Sequence, residues 1–290
     1  MSDAVNDQRG RAPLFLSLPA ILLFTGLLAI PLVLTLTLSF HVFDGMKGIQ
    51  PALTFNHYLK VFTDGYYYEL FLRTAGMSLC VTAICVLIGV PETLIMSRMR
   101  PAWRGTFFVV ILGPLLVSVV VRTLGWEILF GRRGPINDAL VSLHLVDGPL
   151  RLMFSMTGIV IVLVHVLLPF MIIAVWGAVQ KLDKRIAYAA RSLGASPEKV
   201  FFRITLPQLM PGLLSGAIVV FTLSASAFAT PAIIGGRRVK VVTTAIYDEF
   251  LHSMNWPLGA TIAVLLLIGI VCIVVGSNRF VERRFKQVFS

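Results

Sequence analysis

Few side chains in this sequence have the type and spacing that catalysis requires. An HExxH motif is absent, and no serine, histidine and carboxylate gather into one constellation, so an intramembrane enzyme is disfavoured. The GxxxxGKS/T phosphate loop is absent too, so the chain cannot bind ATP by that device. Cys80, Cys85 and Cys272 lie in apolar stretches without further ligands nearby. We therefore predict no metal ion, no cofactor and no disulfide, and we predict buried thiols.

Charged residues at membrane depth form the second group that could act on a solute. Arg122, Glu127 and Glu92 stand in or beside long apolar stretches. A charge at the centre of a membrane helix costs about 2.5–3.5 kcal/mol on insertion scales, so such residues pair or reach water. Glu127 is our candidate for a carboxylate that faces a path through the membrane and favours a cation. Arg122 could line the same path, or it could snorkel outward and stack on Trp126.

Four prolines inside apolar stretches predict bent helices: Pro31, Pro114, Pro169 and Pro231. Packing against neighbouring helices explains most bends of this kind. The functional alternative is that bent helices line a pathway that opens to each side in turn, and Pro169 is the candidate there. His165, in the same stretch as Pro169, is predicted to be a packed, hydrogen-bonded, neutral side chain.

The composition requires a membrane around the protein. Hydrophobic residues make up 57% of the 290 residues and charged residues 13%, and the mean hydropathy is +0.87. A soluble domain with so few charges could not cover its surface with polar groups. The net charge of +11 does not indicate nucleic-acid binding, because the basic residues sit in short segments between apolar stretches.

Six stretches without Asp, Glu, Lys or Arg predict the transmembrane helices. A span needs about 20 apolar residues, and four of the stretches exceed that length. The second reaches it by continuing past Glu92, and the third by continuing past Arg122 to about Leu129. Because barrel-type alternation is missing, the predicted fold class is an all-α membrane protein with six transmembrane helices. The stretches are 13–40, 74–91, 105–121, 152–180, 204–236 and 251–278.

Lysine and arginine in the connecting segments predict the orientation. With a cytoplasmic N-terminus, the inside segments hold fifteen basic residues and the longer outside segments hold nine. The positive-inside rule therefore places both termini in the cytoplasm. Six of the fifteen lie between Lys181 and Arg203, and this cluster decides the orientation.

The inside segment 181–208, between the fourth and fifth spans, is rich in local signals. Residues 186–193 favour a helix, and Gly194 follows where a helix would end on a left-handed residue. Ser196 can cap a second helix that begins with Pro197. We predict two short helices, joined by a tight turn, that project from the membrane. A basic amphipathic loop resting on anionic lipid is the alternative.

The same segment resembles the EAA signature loop of binding-protein-dependent ABC importer permeases. The family pattern is Glu-Ala-Ala, three residues, Gly, nine residues and Ile-x-Leu-Pro, and the spacing here agrees at every step. Tyr188 stands in place of the glutamate, so an ion pair made by that acid is not available here. The positions that match are Ala189, Ala190, Gly194, Ile204, Leu206 and Pro207.

Stretches outside that segment resemble the PotB/PotH-type permeases of spermidine/putrescine importers. The likeness covers roughly residues 70–278. It implies a polyamine, putrescine or spermidine, as the solute, with an opine or another small organic solute as the alternative. The motifs that carry it are Val121-Arg122-Thr123, Trp126, Leu168-Pro169-Phe170, Pro211-Gly212, Phe228-Ala229-Thr230-Pro231 and Asn255-Trp256-Pro257-Leu258-Gly259.

The resemblance implies a type I ABC importer transmembrane domain in a bacterial inner membrane. It implies that residues 181–208 dock on a cytoplasmic ABC ATPase dimer and convert its closure into helix motion. A second, related permease and a periplasmic substrate-binding protein are the further partners implied. The rival is an ATP-independent secondary carrier, but such carriers often show two related halves, and no internal repeat is visible.

We predict three regions along the chain. Residues 1–69 hold the N-terminal tail, the first span and an outer segment rich in aromatic residues. Residues 70–279 form a five-helix permease core that includes the coupling loop 181–208. Residues 280–290 form a C-terminal tail.

Overall fold

The computed structural model is almost entirely helical. It describes the backbone of residues 2–289 and the side chains of residues 17–183 and 185–279. Long helices alternate with short ones, and a two-stranded sheet follows the first helix. The elements are α1 Ser2–Leu38, β1 His41–Asp44, β2 Gly48–Leu53, α2 Asn56–Thr63, α3 Gly65–Arg98, α4 Pro101–Leu112, α5 Val119–Phe130, α6 Pro135–Ser142, α7 Met156–Val179, α8 Lys184–Ser192, α9 Pro197–Val200, α10 Leu206–Ala225, α11 Val242–Leu251 and α12 Trp256–Phe289.

Within the described residues, five helices are long and apolar enough to cross a membrane. A helix satisfies its own backbone hydrogen bonds, which is why continuous apolar stretches of this length fold as spans in lipid. Five of the six predicted spans are therefore confirmed as helices. They are Ser17–Leu38, Gly65–Arg98, Met156–Val179, Pro197–Ala225 and Trp256–Arg279.

The third predicted span is not one continuous helix. A 3-10 turn, Gly113–Leu116, follows α4, and the helical parts on either side of the break meet at 98°. Val117 is extended, and Ser118 is also non-helical, with ψ of 137° and 135°. Pro114 supplies no N–H to a helical ladder, which favours a break at this point. Counted as one broken span, the pair completes the six that the sequence predicts.

The chain forms two compact units. The first comprises Met1–Asp64 and Ile246–Leu265, and the second comprises Gly65–Ala245 and Leu266–Ser290. The boundaries predicted at 69/70 and 279/280 stay predictions. The side chains of the predicted C-terminal tail, 280–290, and of residues 1–16 lie outside the described residues.

In the first unit, the segment after α1 folds into a hairpin and a helix. The carboxylate of Asp44 accepts the backbone N–H groups of Met46 and Lys47 at 2.8 and 3.0 Å, which closes the turn between β1 and β2. These hydrogen bonds hold the pKa of Asp44 below its usual value.

Tyr58 ties α2 to the end of α1. Its ring stacks on Phe40 with centroids 5.2 Å apart, and its hydroxyl is 2.7 Å from the Ser39 hydroxyl. Thr261, on α12, donates to the Ser39 carbonyl at 3.2 Å. The first unit is therefore joined by aromatic stacking and by hydrogen bonds to both the hydroxyl and the carbonyl of Ser39.

In the second unit, the core lies between α3, α7 and α10. Cys85 and Met171 are fully buried there. A Cβ added at Gly212 would lie 2.5 Å from the Ala178 Cβ, and one at Gly216 would lie 2.9 Å from the Met171 sulfur. Small residues allow membrane helices to approach closely and gain packing contacts. The two glycines of α10 therefore set its distance from α7.

The three cysteines do not share one environment. Cys85 is buried and approaches the Val164 carbonyl at 3.8 Å, whereas Cys80 and Cys272 are exposed on the surface of the chain. The prediction of buried thiols is correct for Cys85 and wrong for the other two. A residue on a membrane helix leaves water by facing lipid, so an apolar setting does not require burial in protein.

Candidate functional site

The segment 181–208 begins with a helix, as predicted, and the structure adds a cap at its start. The carboxylate of Asp183 accepts the backbone N–H of Arg185 at 2.8 Å and caps α8. A carboxylate at this position satisfies one of the N–H groups that a helix start leaves unpaired, and it favours the positive end of the helix dipole. The start of α8 is therefore specified by a residue next to it.

The end of α8 is equally local. Gly194 has φ of +83°, in the left-handed region. Its N–H binds the Arg191 carbonyl at 2.9 Å, and the Ala195 N–H binds the Ala190 carbonyl at 3.0 Å. This pair of hydrogen bonds is a Schellman ending, which satisfies carbonyls that would otherwise be unpaired. The predicted glycine stop is confirmed.

The second predicted helix starts as expected but is not a separate helix. The Ser196 hydroxyl accepts the Lys199 N–H at 3.4 Å, and Pro197 takes the first helical position. α9 then runs through a π-helical turn, Phe201–Thr205, directly into α10. The prediction of two free short helices is therefore wrong for the second one, which is the start of the fifth span.

The proline of the signature explains this wider turn. Pro207 has no N–H, and in a regular helix its ring would collide with the carbonyl four residues earlier. The π turn carries a bond from the Leu206 N–H to the Phe201 carbonyl instead. Ile204, Leu206 and Pro207 are half-buried. The second half of the signature therefore packs into the second unit.

The first half of the signature lies on the surface. Tyr188 is 63% exposed and Leu193 is 89% exposed. Ala189 is exposed, and Ala190 is half-buried. A cavity of about 340 Å³ lies beside α8 and reaches the ends of α3 and α10. Its lining includes Leu94, Arg98, Ala187, Tyr188, Arg191 and Gln208.

Arg122 lies at the break in the third span. Its Nη2 donates to the Val117 carbonyl at 3.1 Å. Its Nε and Nη1 are buried and have no hydrogen-bond partner among the described residues. Unpaired polar nitrogens at membrane depth raise the free energy unless a partner or water satisfies them. The hydrogen-bonding groups of Arg122 are therefore only partly satisfied by the described residues.

Two hydrogen bonds tie α5 to other elements. Trp126 Nε1 donates to His165 Nδ1 at 3.1 Å, with the rings 5.3 Å apart, and the Thr123 and Thr230 hydroxyls lie 3.3 Å apart. An accepting Nδ1 carries no proton, so the imidazole is neutral. The hydrogen bond predicted for His165 is confirmed, and its ring contacts that of Trp126, although the residue as a whole is exposed.

The residues predicted for a translocation path do not share one surface. Arg122 is half-buried and Glu127 is exposed, although both stand on α5. Pro169 is buried inside α7, which continues without a break across it. A role in translocation stays a prediction for all three.

Two contacts with no sequence signal hold the start of α3. Arg73 Nη1 donates to the Lys240 carbonyl at 3.3 Å, and the Thr74 hydroxyl accepts the Val242 N–H at 3.0 Å. Thr74 also donates to the Leu70 carbonyl of its own helix at 2.9 Å. A threonine in an apolar stretch commonly makes only that local bond. The tertiary bond could therefore not be read from its type or position.

The comparisons with known proteins agree with this arrangement. Residues 12–287 match the family described as "Binding-protein-dependent transport system inner membrane component". The "Spermidine/putrescine transport system permease protein PotB" of Haemophilus influenzae is 31% identical over 258 residues, which are 88% of this chain and 90% of that protein. The "Molybdenum transport system permease protein ModB" of Mycobacterium bovis is 32% identical over 206 residues, 71% of this chain and 75% of that protein.

A solved structure shares the fold. A chain of a bacterial ABC transporter involved in the import of the acidic polysaccharide alginate gives a TM-score of 0.75 at 17% identity, covering 98% of this chain and 99% of that one. At this identity the likeness establishes the fold alone. The family match spans nearly the whole sequence, and the PotB identity extends over most of it. The chain therefore belongs to the binding-protein-dependent transport system inner membrane components, the permease subunits of ABC importers.

Proposed function

We propose that this permease forms half of the translocation pathway for a polyamine, putrescine or spermidine. The observation that supports a polyamine as the solute is the 31% identity to a spermidine/putrescine permease over 88% of the chain. An opine or another small organic solute is the alternative. The ModB relative, at 32% identity over a shorter stretch, shows that the family extends to other cargoes.

The partners follow from what the chain has and lacks. Its sequence has no GxxxxGKS/T loop, so a separate cytoplasmic ABC ATPase dimer supplies the energy. A second, related permease completes the pathway, and α4, in which no described residue is buried, offers it apolar surface. A periplasmic substrate-binding protein delivers the solute. The alginate transporter has been solved in complex with a periplasmic protein, which supports that partner here.

The segment 181–208 is the proposed coupling element. Tyr188, Ala189 and Gly194 belong to its exposed part, which would contact the ATPase. α9 has no loop between itself and α10, because the π turn keeps the helix continuous. A displacement of this segment would therefore pass along the helix axis into the fifth span instead of being absorbed by a flexible joint.

The orientation with both termini in the cytoplasm rests on the basic residues between Lys181 and Arg203. This orientation puts the coupling segment on the side where ATP is available. A fusion of alkaline phosphatase to the C-terminus should be inactive in intact cells, because that enzyme requires export. An active fusion would contradict the orientation and the coupling role together.

Glu127 is the proposed attractive charge on the path, with Arg122 and Pro169 as its other candidate residues. The exposed carboxylate of Glu127 would raise the local concentration of a cation. Glu127→Gln should raise the KM for a polyamine more than it lowers the maximal rate. Unchanged uptake kinetics in this variant would remove Glu127 from the path.

The proposal is tested by isolating the tagged chain from its native host in a mild detergent. An ATPase, a second permease and a binding protein should co-purify, and the complex in liposomes should take up labelled putrescine or spermidine when ATP is supplied. Uptake of an opine instead would show that the solute is not a polyamine, while the assignment as an ABC importer permease would stand. Transport by the chain alone, without ATP, would favour a secondary carrier.

A further inference from the structure

The outward side of α8 presents a compact surface, which we call the docking face. Ala187 and Ala190 are half-buried and define the inward side of the helix. The positions that follow a helical period on the other side are exposed. The docking face consists of Arg185, Tyr188, Ala189, Ser192 and Leu193.

The docking face has apolar side chains at its edges and small side chains at its centre. Tyr188 stands at the edge next to the cavity, which it also lines, and is 63% exposed. Leu193 stands at the other edge and is 89% exposed. Ala189 and Ser192 lie between them and are small enough for a partner to approach closely. Leu193 is the C-cap of α8, followed by the Gly194 stop, so its position is set by the helix end. Apolar side chains presented in this way act as anchors in protein interfaces.

The charge of the surrounding segment has one sign. Residues 181–208 hold six basic and two acidic residues, a net charge of +4. Both carboxylates serve helix starts, Asp183 as the cap of α8 and Glu198 in the first turn of α9. The docking face carries the cation of Arg185 and no carboxylate, because Tyr188 occupies the position where the family motif has glutamate.

We propose that the docking face binds a groove of the ATPase that is acidic at its centre and apolar at its edges, with Tyr188 as the aromatic anchor. Arg185 pairs with the acidic centre, and the Tyr188 and Leu193 side chains fill the two edges. The permease is thereby selective for an ATPase with this charge pattern. This inference rests on the proposed function, since it describes the partner of the same coupling segment.

A lipid surface fits the docking face less well. Helices that lie in a membrane interface cover it with a broad face of bulky apolar side chains flanked by cations. Here the small, exposed side chains of Ala189 and Ser192 separate the two apolar edges, so no broad face of bulky apolar side chains is formed. A flat layer of lipid would leave the space over Ala189 and Ser192 unfilled, whereas the floor of a protein groove can approach these small side chains closely.

The test isolates the full transporter through a tag on this chain and measures how much ATPase it retains as the salt concentration rises. Tyr188→Glu and Arg185→Glu should each weaken retention about tenfold. The first puts a carboxylate on an apolar edge beside the acidic centre, and the second puts a carboxylate against the acidic centre itself. Tyr188→Phe should stay within about twofold of the wild type, since it keeps the ring. Arg100→Glu, which makes the same charge change on the exposed residue before α4, is the matched control and should have no effect.

Equal or tighter retention by Tyr188→Glu would overturn the inference and leave the permease assignment intact. A wild-type chain that retains no ATPase would instead remove the proposed function, and the inference with it. Lipid contact is measured with a fluorophore on Ser192→Cys, in a chain whose three native cysteines are replaced by alanine. Strong quenching by spin-labelled lipid that persists when the ATPase is bound would also overturn the inference. Weak or absent quenching in the ATPase-bound state is the expected result.

Discussion

The coupling segment and the broken third span both interrupt the pattern of simple membrane helices, but their geometry has different origins. In the coupling segment, the hydrogen bonds at Asp183 and Gly194 join residues at most five positions apart. In the broken span, Trp126 binds a residue 39 positions away, and Thr123 binds one 107 positions away. The first geometry is local, and the second depends on the tertiary fold.

This difference has a functional meaning. A segment whose shape is local can keep that shape when it moves against a partner, which the coupling role proposed for residues 181–208 requires. A broken span whose position depends on hydrogen bonds to distant residues changes shape when those residues move. Local and distant hydrogen bonds can be broken separately, which gives four predictions in order of expected effect.

The largest effect is expected at the glycine stop. A Cβ at Gly194 would meet nothing within 4 Å, but φ is +83° there, a region that a β-branched residue avoids. Gly194→Val should shift the helix end at a cost of about 2 kcal/mol and lower ATP-driven uptake more than about tenfold. Gly194→Asn, which tolerates this conformation, should keep most of the uptake. Normal uptake by Gly194→Val, at equal amounts in the membrane, would contradict the local origin of the turn.

Next comes the arginine at the break. Two buried nitrogens of Arg122 have no partner among the described residues. Arg122→Gln removes this unpaired charge and should stabilise the purified chain by about 1–2 kcal/mol, seen as a higher melting temperature. Arg122→Lys keeps the charge and serves as the control. A fall in melting temperature with Arg122→Gln would show instead that the bond to Val117 holds the break.

The link from α5 to α7 should have a smaller effect. Trp126→Phe keeps an aromatic ring but removes the N–H that donates to His165. The loss of one such bond should lower the free energy of unfolding by about 0.5–1.5 kcal/mol. Trp103→Phe is the control, because Trp103 is 63% exposed on α4. Equal melting temperatures for the two variants would mean that the Trp126–His165 bond does not stabilise α5.

The cap of α9 should have the smallest effect. Ser196 accepts the Lys199 N–H at 3.4 Å, a long hydrogen bond. Ser196→Ala should cost about 0.5 kcal/mol, at the low end for helix caps, and should speed hydrogen exchange of the Lys199 amide. Thr106→Ala, which removes an exposed hydroxyl from α4, should leave that amide unchanged. A larger loss of stability would mean that the cap supports more than its own helix.

Much of the architecture could be predicted from the sequence because the lipid environment restricts the backbone of a long apolar stretch to one structure. Any apolar stretch of span length must be helical, so five spans have the expected positions. The third stretch contains Pro114, and other prolines lie within continuous helices, as Pro169 does in α7. The presence of a proline alone could therefore not show which helix breaks. The same limit applies to Cys80 and Cys272, whose apolar surroundings say nothing about burial.

The features of the candidate site also fall into two groups, those that the sequence determines and those that the tertiary structure determines. The α8 helix, its Asp183 cap and the Gly194 stop are determined by the sequence itself, because each residue acts on backbone groups within one or two turns. The continuity of α9 with α10, the pairing of Trp126 with His165 and the partial burial of Arg122 were decided only by the tertiary structure. Those features depend on which helices become neighbours, and the packing of small residues such as Gly212 against α7 settles that in three dimensions.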